Sequence, residues 1–395
     1  GNFQTGDWNH LVAASRKSSD GYIENTDFKT SNIFYSGQFE NDKGEFKFQA
    51  GASGKAFGAN SFYTPKYPNQ FEETATLFSS AKYASKSRMH LTPSVYWRRH
   101  TDKFMLFREN PPSWYSNHNY HLTNSFGANV SSWFRWAAGK TAFGAEFRSE
   151  NILSNVLGEE MNDEKKVYGE DAYYTKSKSR STFSFFIDHA IYINRFSASA
   201  GLMTNYISDR KNEVNFFPGV DIGYEVSPSI KLVSSFNTSM RMPTFTDLYY
   251  SGPTNIGNPD LKPEKSMTLE GGLKLKRKFL RGQFILFYRN GNDMIDWVKQ
   301  DVDELWQAKN LTQIKSSGVE FRLQFHPSLK WGSSWPEVFS VDYFYNNQEK
   351  EASGFISNYV LDNLKHKFIA SVSQKITGNI FVNLRGRFQD REGTF

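Results

Sequence analysis

Few residues of this chain have the types and spacing that enzyme chemistry needs. His118 and His121 lie three positions apart in an aromatic-rich segment and could ligate a metal or haem, but no third ligand accompanies them. The chain contains no cysteine, no Gly-x-Ser-x-Gly, no His-Glu-x-x-His and no glycine loop of the kind that binds phosphate. The sequence therefore predicts a protein that is not an enzyme.

Two acidic segments offer another kind of ligand. Residues 159–171 and 293–304 are rich in Asp and Glu, and carboxylate oxygens are the ligands that Ca²⁺ prefers. Their spacing matches no EF-hand, and a solvated charged surface is the simpler interpretation. Calcium binding in these segments is the one cofactor that the sequence allows, and no metal site is predicted.

The elements that must position any site are β-strands, because the dominant hydrophobic period is two. In residues 230–240, Ile230, Leu232, Phe236 and Met240 share one face, and polar residues share the other. About seventeen such strands can be counted, most of them reaching the roughly 10 residues that a tilted membrane strand needs. Strands of soluble sheets typically have about 5–6 residues, so strand length favours a transmembrane barrel over a sandwich.

Connections between these strands alternate in length, which indicates two unlike environments at the two ends of the sheet. Outer-membrane barrels combine tight periplasmic turns with long external loops. The connection at 208–213 is short for its class, and that at 326–337 is long for its class. The predicted short connections are 41–44, 84–87, 137–140, 193–195, 226–229, 278–282 and 377–378, and the long ones are 57–70, 101–119, 154–178, 241–265, 290–314 and 347–364.

Composition agrees with a wall that separates lipid from water. Aromatic residues make up 16% of the chain, yet hydrophobic residues reach only 38% and mean hydropathy is −0.61. No stretch has the roughly 18 consecutive apolar residues of a membrane helix. The net charge is +6, but basic residues are spread evenly, so nucleic-acid binding is not predicted. The densest basic group, at a strand end and turn, is Lys274, Lys276, Arg277, Lys278 and Arg281.

A motif after the strand at 230–240 resembles the barrel of TonB-dependent receptors. It reads Arg-Met-Pro-Thr-Phe-Thr-Asp-Leu-Tyr-Tyr over 241–250 and Asn-Pro-Asp-Leu-Lys-Pro-Glu over 258–264, and a second similar piece covers 310–320. Its prolines and glycines restrict turns at the rim, and Glu264 and Glu270 are expected to pair with basic residues or to cap turns. We interpret the motif as mainly structural. The matching residues are Arg241, Pro243, Asp247, Tyr249, Asn258, Pro259, Leu261, Pro263, Glu264 and Glu270.

The resemblance implies an all-β fold, namely a transmembrane antiparallel up-and-down barrel with about 17 of an expected 22 strands. We expect residues 1–395 to form one barrel domain, from which the N-terminal plug and the last strands are missing. The resemblance also implies a multi-pass protein of the Gram-negative outer membrane that contacts outer-membrane lipid. It would import a scarce nutrient, driven by TonB acting through the plug.

Two further segments, 57–71 and 108–121, are similar to receptors of gut anaerobes that are grouped with cobalamin transporters. Cobalamin is therefore the expected ligand, and a surface lipoprotein is a possible partner. Aromatic side chains could stack on either one, although a membrane girdle or loop packing would explain them too. Three other ligands stay open: haem, ferric siderophores and oligosaccharides. Haem is disfavoured because no His lies between Arg241 and Asp260. Two other classes of protein also stay open, a passive porin and a soluble carbohydrate-binding protein. The predicted contact residues are Phe62, Tyr63, Tyr67, Trp114, Tyr115, Tyr249 and Tyr250.

Overall fold

The computed structural model describes the whole chain except residues 63–65, 210–212, 302, 333, 351–353, 358–362, 379 and 393–395, and only the backbone of 311, 312, 350, 363 and 392. The described residues form twenty-one strands and two helices of five and four residues. No helix formed by the described residues is long and apolar enough to span a membrane.

Seventeen of the strands have 12 to 21 residues, which confirms the predicted number of long strands. They are β2 (Trp8–Ser19), β3 (Phe28–Glu40), β4 (Gly44–Gly58), β5 (Phe71–Ser85), β6 (His90–Met105), β7 (Asn119–Trp136), β8 (Gly139–Ser154), β10 (Tyr173–Ile193), β11 (Phe196–Ile207), β12 (Val214–Ser227), β13 (Ile230–Arg241), β15 (Glu264–Lys276), β16 (Leu280–Lys299), β17 (Trp306–Phe325), β18 (Val338–Lys350), β20 (Asn363–Thr377) and β21 (Ile380–Glu392). The shorter elements are β1 (Asn2–Thr5), β9 (Glu159–Lys166), α1 (Phe245–Tyr249), β14 (Asn255–Ile256), α2 (Ser328–Trp331) and β19 (Ile356–Ser357).

Strand pairing follows chain order within each of two compact units. The first unit comprises Gly1–Ile187, Met203–Phe216 and Tyr249–Ser251, and the second comprises Asp188–Leu202, Phe217–Leu248 and Gly252–Phe395. In the first, β1 to β8 pair successively and antiparallel, and β10 pairs with β8 and β9. In the second, β12, β13, β15, β16, β17, β18, β20 and β21 pair in the same way. The predicted up-and-down order is thus confirmed, with a two-residue parallel pairing of β14 and β17 as an addition.

Residues that face each other across the second unit separate into an apolar row and a polar row. One row of directly opposed residues is apolar or aromatic: Tyr224, Leu232, Leu273, Phe284, Phe321, Tyr343, Phe368 and Phe388. The row beside it is Glu225, Lys231, Lys274, Gln283, Arg322, Asp342, Ile369 and Arg387. Because successive side chains of a strand point to opposite faces, the sheet has one apolar and one mostly polar face. Leu232 and Leu273 are exposed on the apolar face, as lipid contact requires.

The connections differ from the sequence prediction at two of the long loops. Residues 154–178 contain β9 and the start of β10, and residues 290–314 are mostly the ends of β16 and β17. In the second case the hairpin continues from Ile295, opposite Asn310, to Val298, opposite Gln307. The polar residues in these stretches interrupt the alternation that marks a strand, so the sequence pattern placed the loops too early. The seven predicted short connections lie where the strands end.

Candidate ligand-binding site

Arg241 and Glu264 form the centre of what we call the motif corner, which lies in the second unit and comprises residues 241–248 and 252–264 and the strand ends 293–298 and 306–310. The two residues are directly opposed on β13 and β15. Arg241 donates from Nε and Nη2 to Glu264 Oε2 and Oε1 at 2.5 and 2.6 Å. The amide of Ile295 donates to Glu264 Oε1 at 2.8 Å. Glu264 is 7% exposed, so one buried carboxylate connects β13, β15 and β16.

The α1 turn is capped by side chains of the motif. Thr244 donates from its amide and its hydroxyl to Asp247 Oδ2, at 3.0 and 2.7 Å, and the Asp247 amide donates to Thr244 Oγ1 at 3.0 Å. This is a reciprocal cap, which satisfies two of the free amides at a helix start. The amide of Asn258 donates to the Asp247 carbonyl oxygen at 2.8 Å, and Asn258 Oδ1 accepts from the Asp260 amide at 3.0 Å. The motif's polar residues therefore serve its own backbone.

Asn310, on β17, joins the segment that precedes β15 to the β16–β17 hairpin. Its Oδ1 accepts from the Lys262 amide at 2.8 Å, and its Nδ2 donates to the carbonyl oxygens of Lys262 and Asp293 at 3.0 and 2.6 Å. The interior beneath it is closely packed, since Leu261 is 1% exposed. Pro243, Asp296, Val298 and Ala308 are also buried. The geometry supports the interpretation of this motif as architecture.

Glu270 lies away from this corner, on the polar face of β15. Ser235 donates to its Oε2 at 3.5 Å, and both residues line a recess of about 420 Å³. Lys231, Lys274 and Glu320 line the same recess. The sequence grouped Glu270 with Glu264, but only Glu264 joins the motif's own turns.

The predicted contact residues Tyr67, Trp114 and Tyr115 pack together with Phe107 and His118, and we call these five the aromatic cluster. Phe107 lies between the others, with ring centroids 5.5 Å from Tyr67, 5.7 Å from Trp114 and 5.4 Å from Tyr115. The cluster unites the connection between β4 and β5 with that between β6 and β7. Phe107 was missed in the sequence, although it stands within the aromatic-rich stretch.

Tyr115 and Trp114 have different environments within the cluster. The Tyr115 hydroxyl accepts from the Leu106 amide at 3.0 Å and is hydrogen-bonded to His118 Nδ1 at 3.0 Å. Burial raises the pKa of Tyr115 and lowers the pKa of His118. Trp114, in contrast, is 56% exposed, and Phe62 in the neighbouring connection is 75% exposed. Trp114 and Phe62 are thus the predicted residues that are available to a ligand, and Tyr63 lies outside the described residues.

Two ion pairs support these connections. Arg108 donates from Nη1 and Nη2 to Asp27 Oδ1 and Oδ2 at 2.7 and 3.1 Å, and it lies 4.0 Å from the Phe71 ring centroid. This pairing lowers the pKa of Asp27. Glu170 Oε1 accepts from Lys103 at 2.7 Å, which lowers the pKa of the Glu170 carboxyl. The sequence gave no signal for either pair, because the partners are far apart along the chain.

Tyr249 and Tyr250 also engage protein side chains. Lys178 Nζ lies 5.7 Å from the centroid of the Tyr249 ring, within the first unit. Tyr250 is hydrogen-bonded to Asn119, and burial raises its pKa. Neither tyrosine belongs to the aromatic cluster.

The possible metal ligands are engaged by neighbouring side chains. His121 Nδ1 is hydrogen-bonded to Ser154 Oγ at 2.8 Å. In the acidic segment 159–171, Glu159 and Glu160 pair with Lys178 and Lys176 at 2.5 and 3.4 Å. Within the described residues, no three His, Asp or Glu side chains come together in a metal-binding group. Calcium binding by the acidic segments stays a prediction.

Comparison with known proteins matches the family described as "TonB dependent receptor-like, beta-barrel" over residues 2–393. The chain is 28% identical over 158 residues to the vitamin B12 transporter BtuB of Vibrio vulnificus (strain YJ016), which is 38% of this chain and 25% of that protein. The siderophore receptor PirA from Pseudomonas aeruginosa is similar in structure, with a TM-score of 0.75 and 12% identity over 98% of this chain and 66% of that one. The FrpB iron transporter from Neisseria meningitidis (F3-3 variant) is also similar, with a TM-score of 0.70 and 12% identity over 98% of this chain and 65% of that one. The chain spans a quarter of the curated relative and less than two thirds of the solved ones.

Proposed function

Because this chain belongs to the TonB-dependent receptor family of outer-membrane β-barrels, we propose that the protein imports a scarce nutrient across the Gram-negative outer membrane. Energy would come from TonB, which would act through a plug domain. An apolar face beside a polar face is what a wall between lipid and an aqueous path needs, and it supports this role. A passive porin is the alternative from another class, and it would conduct ions steadily without TonB.

We propose cobalamin as the nutrient. The likeness to a protein named as a vitamin B12 transporter supports this choice, as do the segments 57–71 and 108–121. The observation that carries the proposal is the aromatic cluster, which holds Trp114 on an ordered base while leaving its ring 56% exposed. Exposed aromatic rings on a rigid base bury much area on binding at little conformational cost. Trp114 and Phe62 would contact the ligand or a surface lipoprotein.

Haem and ferric siderophores are the alternative ligands within the same fold. Haem needs an axial ligand such as His. His118 and His121 could supply it only through Nε2, because their Nδ1 atoms are hydrogen-bonded to the Tyr115 hydroxyl and to Ser154. Solved relatives at 12% identity share the fold, and that likeness carries no argument for their ligands. Ferric siderophore binding is therefore an alternative that the binding experiment must test.

The test is side-by-side binding of cobalamin, haem and a ferric siderophore to the purified full-length protein. We expect sub-micromolar binding of cobalamin alone, and Trp114→Ala should weaken it by about 1–2 kcal/mol, or roughly 5- to 30-fold. Trp136→Ala is the matched control, because Trp136 is 53% exposed and ends β7 at a short turn. Tight haem or siderophore binding without cobalamin binding would contradict the ligand. Steady ion conductance without TonB would contradict active import.

A further inference from the structure

The connection at 326–337 is the long member of the short-turn class, and its described residues, which are all but 333, hydrogen-bond to one another. The Trp331 amide donates to the Pro327 carbonyl oxygen at 2.8 Å, and the Ser328 amide donates to that of Pro336 at 3.1 Å. The His326 amide donates to the Phe279 carbonyl oxygen at 2.8 Å, which joins this connection to the neighbouring turn between β15 and β16. Two connections of the same end therefore form one preorganised surface.

Apolar and aromatic side chains of this surface are exposed. Leu329, Trp331 and Trp335 are 55%, 50% and 49% exposed. Trp331 packs against Trp335 in a tilted arrangement and against Phe325 edge to face, with ring centroids 4.9 and 5.2 Å apart. Large apolar groups grouped in this way indicate contact with a non-aqueous partner.

The surface continues the lipid-facing side of the sheet. Phe325 is directly opposed to Leu280 on β16 and to Phe339 on β18, and Phe339 is exposed. Phe279 packs against Phe325, with centroids 6.2 Å apart. Tryptophan beyond the end of an apolar band is typical of the depth at which lipid headgroups meet water.

Basic side chains of this end divide between the two faces of the sheet. Arg277 and Leu280 exchange backbone hydrogen bonds of 2.7 and 3.3 Å, which places Arg277 in the apolar row. Lys330 Nζ lies 5.0 Å from the Phe279 centroid and 4.8 Å from that of Trp331. Lys276 and Arg281 are opposed to each other on the polar face. Two cations thus accompany the exposed aromatics, and two face the aqueous side.

We propose that this surface, the lipid-side patch formed by Arg277, Phe279, Leu329, Lys330, Trp331 and Trp335, binds an anionic phospholipid at the short-turn side of the membrane. The tryptophans lie at headgroup depth, and Arg277 and Lys330 neutralise the lipid phosphate. The patch is continuous with the face that already contacts acyl chains, so a lipid reaches both parts of it at once. This inference rests on the outer-membrane barrel and is independent of which nutrient is imported.

The test measures lipid retained by the purified full-length protein, by native mass spectrometry with added phosphatidylglycerol or phosphatidylcholine. We expect the wild type to retain phosphatidylglycerol in preference to phosphatidylcholine. In the double variant Arg277→Gln with Lys330→Gln, this preference should fall about fivefold for each basic side chain removed. The matched control, Lys276→Gln with Arg281→Gln, removes the same charge from the aqueous face of the β15–β16 hairpin, which also carries Arg277, and should leave retention unchanged. Lipids brominated near the headgroup should quench wild-type fluorescence more than that of Trp331→Phe with Trp335→Phe.

Four outcomes would overturn the proposal. The first is equal retention of the two lipids, and the second is an equal loss in the control pair. The third is displacement of the lipid by millimolar glycerophosphate, which would mean that the site reads a soluble phosphate. The fourth is that brominated lipids do not quench the tryptophan fluorescence, while removal of the two tryptophans leaves lipid retention unchanged. That result would point to a protein partner for the tryptophans and would count against the lipid. Heat-modifiable gel mobility tests whether each variant is folded. If the double variant does not fold, the single variant Lys330→Gln replaces it in the retention measurement.

Discussion

The motif corner and the aromatic cluster are both built from connections between long strands, yet they use their residues in opposite ways. In the corner, Glu264 and Leu261 are 7% and 1% exposed, and the Glu264 carboxylate accepts from Arg241 and from the Ile295 amide. In the cluster, a half-buried Tyr115 supports an exposed Trp114. We therefore expect the more recognisable sequence to act mainly in architecture, and the less recognisable one to supply the exposed surface for a ligand.

This contrast leads to two classes of expected mutant behaviour. Substitutions in the corner should reduce stability and leave the affinity of the folded protein for its ligand unchanged. Substitution of an exposed cluster residue should do the reverse. A corner variant that folds normally and loses ligand affinity would erase the distinction.

Leu261→Ala should have the largest effect. Removing a fully buried leucine leaves a cavity and typically costs 2–5 kcal/mol, and we expect about 3 kcal/mol here. The measurement is the denaturant midpoint of the purified full-length protein, followed by heat-modifiable gel mobility. Leu305→Ala, at an exposed leucine between β16 and β17, should cost less than about 1 kcal/mol. Equal losses in the two variants would show that the corner has no packed interior.

Glu264→Gln should cost about 2 kcal/mol. The amide has one acceptor oxygen in place of two, so it loses one of the two bonds from Arg241 and the charge of the carboxylate, while the remaining oxygen can still accept from Ile295. Hydrogen exchange of the Ile295 amide should rise along with the loss of stability. The control is Glu160→Gln, since Glu160 pairs with Lys176 at an exposed position and its pair is worth about 0–1 kcal/mol. Unchanged exchange at Ile295 would show that Glu264 does not hold β16.

The strands were predictable because alternation is local, whereas the sites depend on contacts that leave no local pattern. The row from Leu232 to Phe388 follows from period two, and the pairing of Glu264 with a basic residue was expected from its place at a strand end. Nothing in the sequence pointed to Asn310 as the partner of Lys262, 48 residues away. The same holds for Arg108 and Asp27, which are 81 residues apart and form an ion pair.

Tyr115→Phe should have a smaller effect, confined to the aromatic cluster. It leaves the Leu106 amide without its hydroxyl acceptor, which should cost about 1 kcal/mol. Faster hydrogen exchange at Leu106 would report the loss, and the global denaturant midpoint should hardly move. Because Trp114 rests on Tyr115, ligand affinity should fall less than in Trp114→Ala. A larger fall than in Trp114→Ala would make Tyr115 the contact residue.

The smallest effect is a pH dependence of the cluster through His118. Burial and the nearby Lys103 lower its pKa, and Glu170 and Glu73 oppose this change. The unfolded loop therefore binds more protons than the ordered one, so the stability that neutral His118 provides is present above about pH 6.5 and is lost as pH falls through the lower folded pKa. Asp27 and Glu170 have lowered pKa values and stay ionised throughout this range, so they cannot cause the change. Trp114 fluorescence, followed from about pH 7.5 to 5, should shift in the wild type and stay flat in His118→Gln. A shift that survives in His118→Gln would place the titrating group elsewhere.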